Sequence, residues 1–240
     1  MMPKSTIYFV NSINGNDENA GLSENTAFKS LKMINNLSLL PGDKVMLAKG
    51  SVFENEFLHI KNCGDINGDL IEITSYGDGD LPKINANGNG IWHQDYGTEL
   101  DFKGHRYKGD VSSAILLYDV ENILISDIEI TNKEEFTDLE SYCAPDKMDR
   151  TGVAAVAKNR GTLHSITLKN LFIHDVNGNV YNKHMNNGGI YMTAFKPNNE
   201  AKTGVARYDG VAVEDCFVKN VSRWGIAVGY SYRHKDFATK

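Results

Sequence analysis

At 240 residues the chain has room for one or two domains with a real core, and its 41% hydrophobic content, without a run of about 18 apolar residues, excludes a disordered chain and a membrane-spanning helix. A formal charge of −6 argues against a nucleic-acid backbone or an anionic lipid surface as partner, while leaving a local basic cluster free to hold an acidic ligand. Cys63, Cys143 and Cys216 show no CxxC spacing, which speaks against a disulfide framework or a zinc site.

From the N-terminus, "STIYFVNS" reads as a strand, and "MMPKSTIYFVNS" lacks the apolar core of a signal peptide. "GNDENAGLSENTAFKSLKMINN" reads as a turn and then a helix, with Thr26 as N-cap and Phe28, Leu31 and Ile34 as its apolar face. Residues 1–42 are therefore expected to form a strand and a capping helix over the first coil of a strand-rich remainder. "LPGDKVMLAKGSVFENEFLHI" and "DLIEITSYGDGDLPKINANG" supply short strands with Gly-rich corners.

The second half repeats itself. "NILISDIEITN" (122–132) recurs as "SITLKNLFIHD" (165–175) and as "GVAVEDCFVKN" (210–220). Apolar residues alternate with period two on either side of Asp127, Asn170 and Asp215, and the phase slips by one residue there. Such a slip requires a corner, and Asp and Asn tolerate the left-handed backbone a tight corner needs. Asn132, Asp175 and Asn220 close each unit in a second matching position. Companion strands "SSAILLY", "TGVAAVA", "GGIYMTAF" and "WGIAVGY" begin near residues 113, 152, 189 and 225. Polar insertions occupy 133–150, 177–187 and 197–208. A unit that cannot bury its inner face alone must stack on its neighbours. The expected fold is all-β: a parallel solenoid over residues 43–240, with Asp127, Asn170 and Asp215 in one ladder and Asn132, Asp175 and Asn220 in another. "WGIAVGYSYRHKDFATK" has no apolar helix or strand to cover the last coil. A further chain segment, a second copy of the chain, or coils beyond residue 240 that carry the chemistry are expected there.

Candidate chemistry gathers at two loops. Asp127 and Asp215 share a slot with Asn170, which marks them as corner formers, and Asp175 sits beside His174 at the start of the 177–187 insertion. That insertion carries Tyr181, Lys183 and His184, and a histidine is the side-chain type whose ordinary pKa suits a general acid or base. "SRWGIAVGYSYRHKD" concentrates Arg223, Trp224 and Tyr230, and such rings and guanidinium groups suit the faces and carboxylates of sugars. Because the two stretches precede successive copies of one strand, His184, Arg223 and Trp224 are expected on one edge. The reading takes His184 and Asp175 as catalytic, and Arg223, Trp224, Tyr230 and Tyr181 as binding residues. The acidic loop 132–149 offers oxygen ligands for Ca²⁺, but no spacing matches a calcium loop, so no metal ligands are assigned.

The order "IYFVNSINGNDENAG…AFKSLKMI…LPGDKVMLAKGSVF…ITSYGDGDLPKINANG" resembles the entry module of right-handed parallel β-helix proteins of the pectate-lyase-like superfamily. The resemblance implies a secreted, periplasmic or cell-surface protein that binds a polysaccharide or oligosaccharide in a groove along one sheet. It implies cleavage of glycosidic bonds, by hydrolysis in preference to elimination. A lyase would need Ca²⁺ and a base such as Lys158 or Lys196; a hydrolase would need no cofactor. The alternative is a non-catalytic glycan-binding or adhesion solenoid.

Overall fold

The structure, a computed structural model, describes residues 5–101, 106–133, 148–180 and 183–238. Strand accounts for 49% of the described residues and helix for 7%, so the class is all-β, as expected. In chain order the first strands are β1 (Ile7–Val10), β2 (Lys44–Ala48), β3 (Val52–Glu54), β4 (Leu58–Lys61), β5 (Ile71–Tyr76), β6 (Lys83–Asn85) and β7 (Ile91–Asp95). The longer strands follow: β8 (Lys108–Tyr118), β9 (Ile123–Asn132), β10 (Asp149–Ala157), β11 (Thr162–Val176) and β12 (Gly188–Ala194). β13 (Arg207–Glu214), β14 (Phe217–Val221) and β15 (Trp224–Ser231) come last.

Two sheets result. One has the order β1-β2-β5-β9-β11-β13, with β6 beside β3 and β9, and β14 beside β11. The other runs β4-β8-β10-β12-β15, and β7 lies on β8 as the antiparallel pair among these parallel ones. The repeats stack in the expected register. Ile123 pairs with Ile166 and Ile166 with Val211, while Ile125 pairs with Leu168 and Leu168 with Val213. In the second sheet Ser113 faces Thr151, Thr151 faces Gly188, and Gly188 faces Trp224.

The alternation of each strand decides where the core lies. Ile115, Leu117, Val153, Ala155, Ile190 and Met192 point from the second sheet to meet Ile123, Ile125, Ile130, Leu168 and Ile173 from the first. Each such side chain, taken fully out of water, contributes about 1.5–3 kcal/mol. The intervening residues Leu116, Ala154 and Val156 face the other way, yet are also buried, under Trp92, Tyr96, Leu100 and Phe195. β10 and β12 are consequently buried on both faces, the usual condition of parallel strands.

The corners have a chemical basis. Asp127, Asn170 and Asp215 adopt φ of 58°, 47° and 50°, and the Asn170 amide donates to Asp127 Oδ1 at 2.6 Å. Asp175 and Asn220 are likewise left-handed, with the Asn220 amide donating to Asp175 Oδ1 at 2.7 Å. Asn132 departs from the expected ladder: it is absent from the left-handed set, and β9 and β11 shift register just before it. Its buried amide instead donates to the carbonyls of Ser112 at 3.2 Å and Thr151 at 3.1 Å and accepts from the Gly88 N–H at 2.8 Å. It ties the end of one sheet to the start of the other. A further corner series opens each unit, at Asn122, Ser165 and Gly210, with φ of 50°, 52° and 78°.

Two end regions differ from expectation. Thr26 does not cap a helix but ends a 3₁₀ turn at Glu24–Thr26, and helix α1 spans Leu31–Asn35. Remote carboxylates set that start: Asp17 accepts the N–H groups of Lys29 and Ser30 at 2.8 Å, and Glu56 accepts that of Leu31 at 2.6 Å. Phe28, Leu31 and Ile34 do bury their faces in the main core. At the other end, past a short helix α2 (Glu200–Thr203), β15 runs into a five-residue helix α3 (His234–Ala238), for which the sequence reading made no allowance. Tyr232 anchors that turn by donating to Glu200 Oε2 at 2.6 Å.

Candidate active site

The 177–187 segment leaves β11 and returns into β12, and β7 with residues 96–101 holds it from outside. Gln94 on β7 does most of the fastening. Its amide donates to the His184 carbonyl at 3.1 Å, and its Oε1 accepts the Asn186 N–H at 2.9 Å together with the Asn186 side-chain amide. Behind this contact, Ser222 Oγ donates to Asn187 Oδ1 at 3.1 Å and accepts the Gly178 N–H at 3.0 Å. Gln94, Asn186 and Asn187 are all fully buried. The hydrogen bonds that Gln94 and Ser222 make to this part of the loop hold it in place.

The His184 side chain, although it belongs to a polar insertion, is wholly buried. Nε2 lies 3.1 Å from Asp101 Oδ2, and Lys183 Nζ lies 3.7 Å from the same oxygen. The imidazole meets the Tyr230 ring edge-on at 4.2 Å, and Tyr230 in turn meets His234 at 4.7 Å. Arg223 lies over the Trp224 ring with Cζ 5.2 Å from its centroid, and donates to the Val180 carbonyl. Tyr191, Trp224, Tyr230, Ser231 and His234 line an open cleft of about 590 Å³ along β15. Burial pushes the Tyr191 hydroxyl well above the usual phenol range, so it enters the site as a neutral O–H.

Five of the expected site residues are thus placed, and four of them converge. His184, Tyr230, Arg223 and Trp224 share one edge, as the successive strand copies require. Tyr181 lies outside the described residues, as does most of the acidic loop, at 134–147. Asp175 has other surroundings. The hydrogen bonds that His174 Nδ1 and the Asn220 amide make to it, each 2.7 Å long, hold its carboxyl below the usual carboxylate range. A carboxyl kept ionised in this way is no proton donor near neutrality. Sequence reasoning missed Gln94, Asp101, Asn186 and Asn187. The available signal was "GIWHQDYG", an aromatic and amide-bearing stretch outside every repeat.

This all-β protein thus joins parallel sheets with corner ladders to an aromatic cleft along one sheet edge, backed by a buried histidine that Asp101 holds. No protein-family model matches the chain. A lacto-N-biosidase of Bifidobacterium longum subsp. longum is 43% identical to it over 256 residues, covering 94% of this chain and 16% of that protein. Two crystal structures of a GH136 lacto-N-biosidase from Eubacterium ramulus, the native protein and its selenomethionine derivative, match with a TM-score of 0.90 at 56% identity. They cover 97% of this chain and 37% of theirs, so the chain spans a minor part of each relative's length.

These relatives overturn the resemblance to the pectate-lyase-like superfamily. The residues that carried it, Gly-rich turns and Asx corners between short apolar runs, specify how parallel strands turn and stack. They answer a backbone requirement and carry no family signature.

Proposed function

We propose that the chain is part of a glycoside hydrolase acting on oligosaccharides, and that the cleft along β15 receives a sugar. The observation that carries this reading is the 56% identity, over 97% of the chain, to a GH136 lacto-N-biosidase. The site chemistry agrees with it. The partly exposed Trp224 ring offers an apolar face to the C–H side of a pyranose, while Tyr230 and His234 line the same cleft and bring polar edges for its hydroxyl groups. Buried His184, which Asp101 holds at Nε2, acts through Tyr230, whose ring it meets edge-on. Glycosidases place two carboxyl groups about the scissile bond, and Asp175, locked into its corner, is assigned to structure. As to architecture, we read the two sheets as successive turns of one solenoid, each turn giving a strand to both, with α1 closing its first turn. Parallel crossovers favour the right-handed sense.

The test uses p-nitrophenyl lacto-N-bioside for turnover and lacto-N-biose for binding by calorimetry. Trp224→Ala is expected to weaken binding by about 1–3 kcal/mol, the value of a stacking ring carried over from base stacking, with the unfolding temperature unchanged. A wild-type chain that neither binds the sugar nor cleaves the glycoside would sink the reading.

A further inference from the structure

A second cleft, of about 560 Å³, opens where the ends of β3, β6, β9 and β11 meet the start of β10. Glu54, Lys83, Asn85, Thr131, Arg150 and Asp175 line it, none of them shared with the cleft along β15. Asn85 and Thr131 face each other across the β6–β9 pair, 8% and 3% exposed. Among the described residues, neither Asn85 Oδ1 nor Thr131 Oγ1 has a hydrogen-bond partner. Buried polar groups are nearly always satisfied, so two orphans side by side on the floor of one cleft call for a ligand.

Five charged side chains among the described residues line the cleft; four of them are already engaged, and the fifth, Lys133, is exposed and helps to lower the Asp175 carboxyl. Lys83 holds Glu129 at 2.9 Å, and Arg150 donates to the Lys133 carbonyl at 2.6 Å. Glu54 Oε1 accepts the amides of Asn85 at 2.9 Å and Asn87 at 2.7 Å, while Asp175 is held by His174 and Asn220. An incoming anion would meet Glu54 and Asp175, and an incoming cation would meet Lys83, Lys133 and Arg150. What remains open is one carbonyl acceptor beside one hydroxyl that can donate or accept. That pair suits the adjacent hydroxyl groups of a neutral pyranose.

We propose that this cleft is a separate binding site for a neutral sugar, with Asn85 and Thr131 as its recognition pair. The choice of a sugar among neutral polyols rests on the saccharide-handling function proposed above; the site itself rests on the two orphaned atoms. Lactose titrated into the isotopically labelled chain tests it through backbone amide shifts. The amides of residues 85–88 and 131–133 are expected to move, with a dissociation constant at least tenfold weaker in Thr131→Val. Thr131→Ser is expected to restore it, and Trp224→Ala to leave it alone. Movement confined to residues 224–231 would place the sugar in the other cleft and overturn this proposal while sparing the first reading. Larger shifts at 85–88 with sodium glucuronate or sulfate than with lactose would make this an anion site and also overturn it. A silent titration at 85–88 and 131–133 would likewise overturn this proposal, while the hydrolase reading stands or falls on lacto-N-biose.

Discussion

His59, on β4, shows how one side chain can make the fold answer to pH. Its Nε2 lies 3.1 Å from the Ser113 carbonyl and its ring packs against Phe57 at 4.5 Å. Burial pulls its pKa from 6.5 down to about 4, against the opposing pull of the Ser113 carbonyl and with help from Lys61. The folded chain therefore keeps His59 neutral where the unfolded chain takes up a proton. Stability is full above pH 6.5 and falls as pH drops from there toward 4, by an upper bound of about 3 kcal/mol. Urea unfolding of the wild type and of His59→Gln at pH 7 and pH 4.5 measures it. The wild type is expected to lose about 2–3 kcal/mol more than the variant over that interval. Equal losses would show that the imidazole is hydrated in the native state.

Among the elements, what could be read from the sequence was whatever the chain says more than once. Asp127, Asn170 and Asp215 announced a corner because a left-handed residue with a side chain is costly unless that side chain is Asn or Asp. The opening corner was illegible, since Asn122, Ser165 and Gly210 share the conformation and no chemistry. Asn132 misled in the opposite sense: it carries the letter of the ladder but closes a junction between sheets. β7, which runs antiparallel, and the irregular residues 96–101 after it occur in one copy, so no periodicity flagged them, and with them went Gln94 and Asp101 at the site. Gln94→Leu is expected to release the loop that Gln94 fastens. It strands the His184 carbonyl and the Asn186 N–H, at about 1–3 kcal/mol for each buried group left unpaired. Hydrogen exchange should then quicken at residues 184–187 while β9 and β11 keep their protection. Uniform quickening would mean that Gln94 supports the fold as a whole.

For the molecule as a whole, the weak place is the edge along β15. Ile226 and Val228 occupy the inward register of Ile190 and Met192, yet they are 52% and 81% exposed, and Phe217 on β14 is 59% exposed. Apolar side chains on an edge strand with open backbone groups favour association. Sedimentation velocity is expected to give a mass that climbs above the 26.6 kDa of one chain as concentration rises. Val228→Glu should hold it near that value. A wild-type mass independent of concentration would show that this edge is stable in water by itself.

The corner ladders also limit how such a chain can grow. Each corner hydrogen bond between neighbouring repeats pairs a carboxylate with an amide: Asn170 with Asp127, Asn220 with Asp175. Within a repeat the two positions are also of opposite kind, Asn170 with Asp175 and then Asp215 with Asn220. A gene duplication that copied a single repeat would set Asp against Asp at one corner or the other. Two carboxylates about 4 Å apart near a protein surface repel by about 4 kcal/mol. Copying two adjacent repeats together keeps every acid beside an amide. Lengthening by duplication is thus constrained in parity, and repeats should be gained or lost two at a time.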